Sequence, residues 1–315
     1  MSSPPAEALP ATLVGGYLGA GKTTLVNHLL RHAGGRRIAV LVNDFGKVEI
    51  DAALIESRAE TVISLAGGCL CCSFGDDLVG TLNGLAAGDP RPEALLIELS
   101  GVALPGSVAR TVRLAPGVEV AGILVLADAA EIRRQAADPY VGDTVRQQLA
   151  EADWVLANKP DLAGDAAQRE LPGWLATVAP RARVLVCAAE QMAPELLFGW
   201  RAAPGRDALS TFAARALGAD ARAAAVFACR SARPAAHGDP ERLGAALAAA
   251  SSGVLRAKGF ARDRAGQGWL LQVAGPQCRV TRAEFSGPGG LVLIGLRGVV
   301  DAPGFGVEGL VLDPP

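Results

Sequence analysis

The residues with the plainest chemical purpose are Gly16-Tyr17-Leu18-Gly19-Ala20-Gly21-Lys22-Thr23-Thr24, which keep the spacing G-x-x-x-x-G-K-[ST]. This spacing suits a polyphosphate. Gly16, Gly19 and Gly21 let successive backbone N–H groups, those around Ala20 included, turn inward as an anion nest. Lys22 neutralises the outer phosphates, the Thr23 hydroxyl can ligate Mg²⁺, and Thr24 is counted with them among the nucleotide-binding residues. Leu25, Val26, Leu29 and Leu30 recur at helical spacing behind the loop, and Leu13-Val14 before it reads as a strand end. Strand, loop and helix N-terminus therefore follow in order. The spacing is not G-x-G-x-x-G, which argues against a dinucleotide site.

Two later segments refine the ligand. Asn158-Lys159-Pro160-Asp161 closes the apolar run from Trp154 to Ala157. In an N-K-x-D arrangement the aspartate accepts two hydrogen bonds from the N1–H and exocyclic amine of guanine, while the lysine stem lies along the base. Between the two motifs, Leu95-Leu96-Ile97-Glu98-Leu99-Ser100-Gly101 is an apolar strand ending in an acid. Glu98 can hold a Mg²⁺-bound water, and Gly101 can bring its N–H against a terminal phosphate with no Cβ in the way.

A second chemistry sits in Gly67-Gly68-Cys69-Leu70-Cys71-Cys72. Three thiols within four residues suit a soft metal: Zn²⁺, Cu(I) or thiophilic cobalt. A redox pair is the competing reading, and the strain of a vicinal Cys71–Cys72 disulfide weighs against it. Cys187, Cys229 and Cys278 are expected to be buried packing residues in apolar strands. A chain of this length can bury a core without disulfide staples, and no secretory signal precedes it, so a reducing cytoplasm is the expected compartment.

Taken together these motifs resemble the CobW-type GTPases of the CobW/HypB/UreG class. The resemblance rests on Gly15 to Thr24, Val42-Asn43-Asp44-Phe45-Gly46 with Ile50-Asp51, the cysteines at 69, 71 and 72, Glu98 to Gly101, Asn158 to Asp161, and Arg256-Ala257-Lys258-Gly259-Phe260 farther on. It implies a GTPase that binds Zn²⁺ or Co²⁺ through Cys69, Cys71 and Cys72 and releases it to a client protein after GTP hydrolysis, with Mg²⁺ at Thr23 and Glu98. Lys22, Glu98 and Asp51 would be its catalytic residues, Asp51 orienting water or Mg²⁺, and Lys47 would close over the phosphates. A homodimer is compatible with it. The chain departs from the pattern at Asp44, where glutamate is commoner, and at Val42, where some relatives place a metal-binding glutamate. With His28, His32 and His237 as its three histidines, it has no histidine-rich insert for metal storage.

The elements that must position these groups follow from alternating apolar and helical runs. The expected fold is α/β: a P-loop NTPase with a mainly parallel sheet covered by helices, plus a small C-terminal α+β domain. Strands are expected near 11–15, 36–42, 93–99, 119–127, 153–158 and 182–187. Residues 1–10 read as a loose tail, 11–201 as the nucleotide domain, 202–221 as a linker, 222–304 as the second domain and 305–315 as a tail. In the second domain strands are expected at 225–230, 268–274 and 291–296, with a helix over 240–250. His28 and His32, at i and i+4, read as half-buried neighbours of the Leu25 and Leu29 stripe rather than a chelate. Asp138 and Asp143 read as residues of a solvated loop.

Whole-chain properties agree. A net charge of −2 and a pI near 6.0 supply no basic footprint for nucleic acid. No apolar run reaches the ~18–20 residues of a membrane-spanning helix. Of 30 basic residues only four are lysines, and Lys22 and Lys159 fall inside nucleotide motifs, where a compact charge or a packed stem is wanted. Two other readings stand beside the metallochaperone: a GTPase switch with a purely structural zinc, and a small-molecule P-loop kinase, against which Asn158 to Asp161 count.

Overall fold

The computed structural model describes residues 8–42, 61–64, 75–198, 221–235, 238–249, 252–285, 287 and 289–313. The chain divides into two compact units, Met1–Glu190 and Gln191–Pro315. The division falls ahead of the expected boundary at 201.

In the first unit seven parallel strands lie in the order β3-β2-β4-β1-β5-β6-β7. They are β1 (Leu9–Gly16), β2 (Ile38–Val42), β3 (Thr61–Ser64), β4 (Ala94–Glu98), β5 (Val118–Asp128), β6 (Trp154–Asn158) and β7 (Arg183–Val186). Every residue of β2, β4 and β6 is buried. That is why these strands read as continuous apolar runs rather than alternating ones: a parallel sheet is covered on both faces. The covering helices are α1 (Lys22–Arg31), α2 (Gly75–Ala87), α3 (Pro105–Val112), α4 (Ile132–Ala137), α5 (Gly142–Ala150) and α6 (Asp165–Val178). Leu13, Leu41, Ile97, Val125 and Val155 from five strands pack with Leu82, Val108, Val112 and Leu149 in one core.

The second unit contains α7 (Pro194–Phe198), α8 (Ala221–Val226) and α9 (Pro240–Ala248). Its sheet, antiparallel throughout, has the order β11-β10-β9-β12-β8-β13. The strands are β8 (Phe227–Pro234), β9 (Val254–Arg262), β10 (Gly268–Ala274), β11 (Gln277–Arg282), β12 (Gly290–Leu296) and β13 (Leu310–Leu312). Helix α9 starts at Asp239, whose carboxylate accepts from the Glu241 and Arg242 amides, with Pro240 in the first turn. Its Leu243 and Leu247 join Leu271, Val273, Leu291 and Leu293 in a separate core.

Several expectations change. Residues 9 and 10 belong to β1 rather than to a tail. Within 305–315, β13 pairs with β8 and Val307 is buried, because this short apolar stretch completes a sheet edge. Strands β3, β9 and β11 are not among the expected ones. Asp143 lies in the first turn of α5, paired with Arg146 at 2.6 Å, rather than in a loop. Cys278 is exposed, not buried; its Sγ leans over Gly244, where a Cβ would stand 2.5 Å away. The expected linker falls largely outside the described residues.

Gly259 is the tightest point of the second sheet: a Cβ there would lie 2.0 Å from the Gly290 carbonyl oxygen and 2.6 Å from the Leu291 Cα. Both neighbours are backbone and cannot yield cheaply. Gly259→Ala is expected to lower unfolding free energy by ~2 kcal/mol or more, read as a fall in urea midpoint.

Candidate functional site

The motif residues meet at the carboxyl ends of the first unit's strands, where parallel α/β sheets hold ligands. The P-loop leaves the end of β1, and the strand's two neighbours supply the rest: β4 ends at Glu98, aligned with Val14, and β5 ends at Asp128, aligned with Asn158 of β6.

Backbone geometry explains the glycines. Gly16 has φ 132°, and a Cβ there would lie 2.3 Å from the Leu126 carbonyl oxygen; Gly19 has φ 77°. Gly21 caps α1 at φ 99°, with no side-chain cap and no acid in the first turn. The positive end of the helix therefore faces the loop with no carboxylate from its own first turn. Lys22 Nζ donates to Gly16 O at 3.0 Å, and Thr23 Oγ1 donates to Glu98 Oε1 at 2.9 Å. Glu98 is 3% exposed and Thr23 half-buried, so the expected Mg²⁺ residues bring two oxygens together at the mouth of the loop. Hard oxygen donors of this kind fit Mg²⁺, which takes one or two protein oxygens and leaves room for phosphate and water. The neighbouring Ser100 hydroxyl is buried with no hydrogen-bond partner among the described residues. Gly101 lies against the loop: a Cβ there would stand 2.4 Å from Leu18 Cδ2.

On the other side, Asn158 Nδ2 donates to Ala20 O at 2.8 Å, and its Oδ1 accepts from Ala189 N at 2.8 Å. Lys159 is the one non-glycine residue with positive φ among the described residues, at 55°. Its Nζ donates to Gly19 O at 2.7 Å and pairs with Asp128 Oδ2 at 2.8 Å. A left-handed lysine costs about 1 kcal/mol, so the surrounding bonds must over-determine it. Asp161 stands exposed on the single 3₁₀ turn that follows, Pro160–Leu162. Sequence reasoning missed Asp128, which ends an ordinary apolar strand and gains meaning only through its partner on β6.

The expected cysteine ligands Cys69, Cys71 and Cys72 lie outside the described residues, as do Asp44, Lys47 and Asp51. Among the described residues no group of three His, Cys, Asp or Glu side chains is placed to hold a metal. Burial pushes the Cys187 and Cys229 thiols up to about 12, Glu195 adding to the shift at Cys229. Neither is a thiolate near neutral pH. His28 is buried and His32 exposed, and the His32 ring nitrogen meets His28 O at 2.8 Å, within its own helix. Asp138 turns its carboxylate back to the Tyr140 and Val141 amides. In the second unit a cleft of about 210 Å³ is lined by Arg242 and Arg262 among others. Arg242 pairs with Glu308 at 2.7 Å, and Arg262 donates to the Gly266 and Phe285 carbonyls at 2.8 Å, so both guanidinium groups bond to the protein itself. Among the described residues no helix is long and apolar enough to cross a membrane.

A Cβ on Gly21 would stand 2.4 Å from Asn158 Nδ2, in a backbone conformation that side chains resist. Gly21→Ala is expected to weaken nucleotide binding about tenfold to 100-fold, the equivalent of ~1–3 kcal/mol of strain, in a fluorescent-nucleotide titration.

Three comparisons with known proteins bear on this site. The chain is 32% identical over 182 residues to the zinc chaperone CobW of a Sinorhizobium species, covering 49% of this chain and 51% of that protein. It is 36% identical over 166 residues to the zinc chaperone YjiA of Escherichia coli strain K12, covering 50% and 51%. It is 38% identical over 118 residues to the zinc-regulated GTPase metalloprotein activator 1 of Dictyostelium discoideum, covering 33% and 25%. The match to the first two thus spans about half the length of each. The model of the CobW/HypB/UreG nucleotide-binding domain matches residues 10–186, the segment that holds the P-loop, Glu98 and Asn158 to Asp161. By that match the chain belongs to the CobW/HypB/UreG family.

Proposed function

We propose that this protein is a GTP-hydrolysing metallochaperone that binds Zn²⁺, or Co²⁺, through Cys69, Cys71 and Cys72 and passes it to a client protein when GTP is hydrolysed. The observation that carries the nucleotide half of this reading is the latch between the two motifs. Asn158 and Lys159 hold the Ala20 and Gly19 carbonyls. The segment that would read the base is thereby fixed to the loop that would hold the phosphates. Asp161, the residue after Pro160, is exposed and available to accept from guanine.

In this reading water attacks the γ-phosphorus, the bond to the β-phosphate oxygen breaks, and GDP and inorganic phosphate leave. Lys22 neutralises charge on the outer phosphates, and Gly101 meets the terminal one. Thr23 and Glu98 would hold Mg²⁺, which offsets the charge developing on the phosphate oxygens when bound. Asp51 is the proposed water-orienting residue. The metal half rests on the chemistry of three clustered thiols and on the zinc chaperones to which the chain is similar. The cysteines follow β2 in sequence and precede Glu98, so a segment ordered by a terminal phosphate could reach the metal loop.

Two measurements test the two halves. Xanthine carries a carbonyl where guanine carries its amine, so Asp161→Asn, which can donate as well as accept, is expected to lower GTP affinity by ~100-fold and raise XTP affinity. Unchanged GTP affinity would remove guanine recognition from Asp161. For the metal, Zn²⁺ and Co²⁺ affinities are measured by competition with a chromophoric chelator in Mg²⁺-GTPγS and Mg²⁺-GDP. GTPγS is expected to tighten binding at least tenfold, about 1.4 kcal/mol of coupling, and Cys71→Ser/Cys72→Ser to abolish it. Equal affinity with either nucleotide would leave a GTPase switch whose zinc is structural.

A further inference from the structure

The segment joining Glu98 to α3 is held from outside the P-loop by α5 and the residue after it. Gln148, 1% exposed, donates from Nε2 to Gly101 O at 3.1 Å and to Ala103 O at 2.9 Å. Glu151 Oε2 accepts from Gly106 N at 2.7 Å, at the first turn of α3. Both atoms facing Gln148 are carbonyl oxygens, so only an amide nitrogen can meet them, and it uses both of its hydrogens. A glutamine this deeply buried is worth its desolvation only when its hydrogen bonds are made.

What Gln148 holds is a tight turn. Ala103 N donates to Ser100 O at 3.1 Å, which leaves Gly101 and Val102 as the central residues. Two of this turn's carbonyls, at Gly101 and Ala103, go to Gln148. On its opposite side Gly101 is pressed against the P-loop, where a Cβ would stand 3.0 Å from Leu18 N as well as 2.4 Å from Leu18 Cδ2. A residue gripped from both sides has its peptide planes fixed before any phosphate arrives.

We propose that Gln148 is a positioning residue for the terminal phosphate: by holding the Gly101 and Ala103 carbonyls of the Ser100–Ala103 turn it presents Gly101 to the P-loop and sets the preference for a nucleoside triphosphate over a diphosphate. The proposal rests on the reading that this site takes GTP. Among the described residues Gln148 donates to Gly101 and Ala103 and not to the cradle of Gly16 to Thr24, which it reaches only through Gly101 against Leu18, so its loss acts chiefly on the triphosphate. A merely structural glutamine would affect both nucleotides together.

The test is the ratio of GTPγS to GDP affinity, with Mg²⁺, in wild type, Gln148→Met and Gln148→Glu, followed from pH 8 to pH 6 together with thermal unfolding. In Gln148→Met, GTPγS binding is expected to weaken at least tenfold while GDP binding stays within twofold. Gln148→Glu should behave likewise at pH 8. Burial beside two carbonyls disfavours a carboxylate and raises its pKa, so on lowering the pH the protonated acid donates to one carbonyl and the ratio partly recovers. The methionine variant shows no such recovery, and wild type supplies the control for titration of the nucleotide itself. A ratio within twofold of wild type in both variants, whatever happens to the unfolding temperature, would overturn the proposal. Failure of the wild type to bind guanine nucleotides at all would instead overturn the reading of the site, and this proposal with it.

Discussion

The nucleotide end of the molecule depends on the outward carbonyls of the P-loop being held. In a trans peptide the C=O of one residue and the N–H of the next point in opposite directions. Lys159 takes Gly19 O and Asn158 takes Ala20 O, so the amides of Ala20 and Gly21 are turned the other way, that of Ala20 donating to Tyr17 O at 3.2 Å inside the loop. An anion nest is a row of such amides, and its geometry is here set from two strands away.

Holding those carbonyls makes demands on the sheet. β5 and β6 must end level, which the pairing of Asp128 with Asn158 provides, so that Asp128 can fix the Lys159 ammonium. Asn158 must in turn be held by the amide of Ala189, beyond β7. Each such bond contributes only ~0.5–1.5 kcal/mol net to stability, far less than burial of the apolar strands. Their effect is preorganisation: the loop reaches its ligand-binding shape while the chain folds, and binding does not have to order it. On the other flank the bond from Thr23 to Glu98 ties the start of α1 to the end of β4, and Gln148 holds the turn that follows.

The second unit follows different rules. Short turns join β9 to β10 and β10 to β11, while the helix started by Asp239 and Pro240 lies in the long connection from β8 to β9. Arg256 is 8% exposed and donates to the Leu196 carbonyl, so part of the Arg256 to Phe260 motif serves the unit's own packing.

Legibility differed with the range of the interaction involved. The apolar runs of β2, β4 and β6, the glycine spacing, the acid closing β4 and the Asn158 to Asp161 motif could all be read directly, because each is a local pattern set by the chemistry of adjacent residues. β3 and β13 could not, being four and three residues long, nor β9, whose run is broken by Arg256, Lys258 and Gly259, since their place comes from neighbours across the sheet. Cys278 looked like a core residue because its strand is apolar in part, but β11 is a sheet edge. The sequence by itself determined which groups could meet a phosphate, a base and a soft metal. Only the tertiary structure decided which atoms hold those groups in place: the bonds from Lys159 and Asn158 reach back 140 and 138 residues, and that from Gln148 reaches back 47. Partners so far apart leave no spacing to recognise, and a glutamine in a helix looks the same whether it faces water or two buried carbonyls.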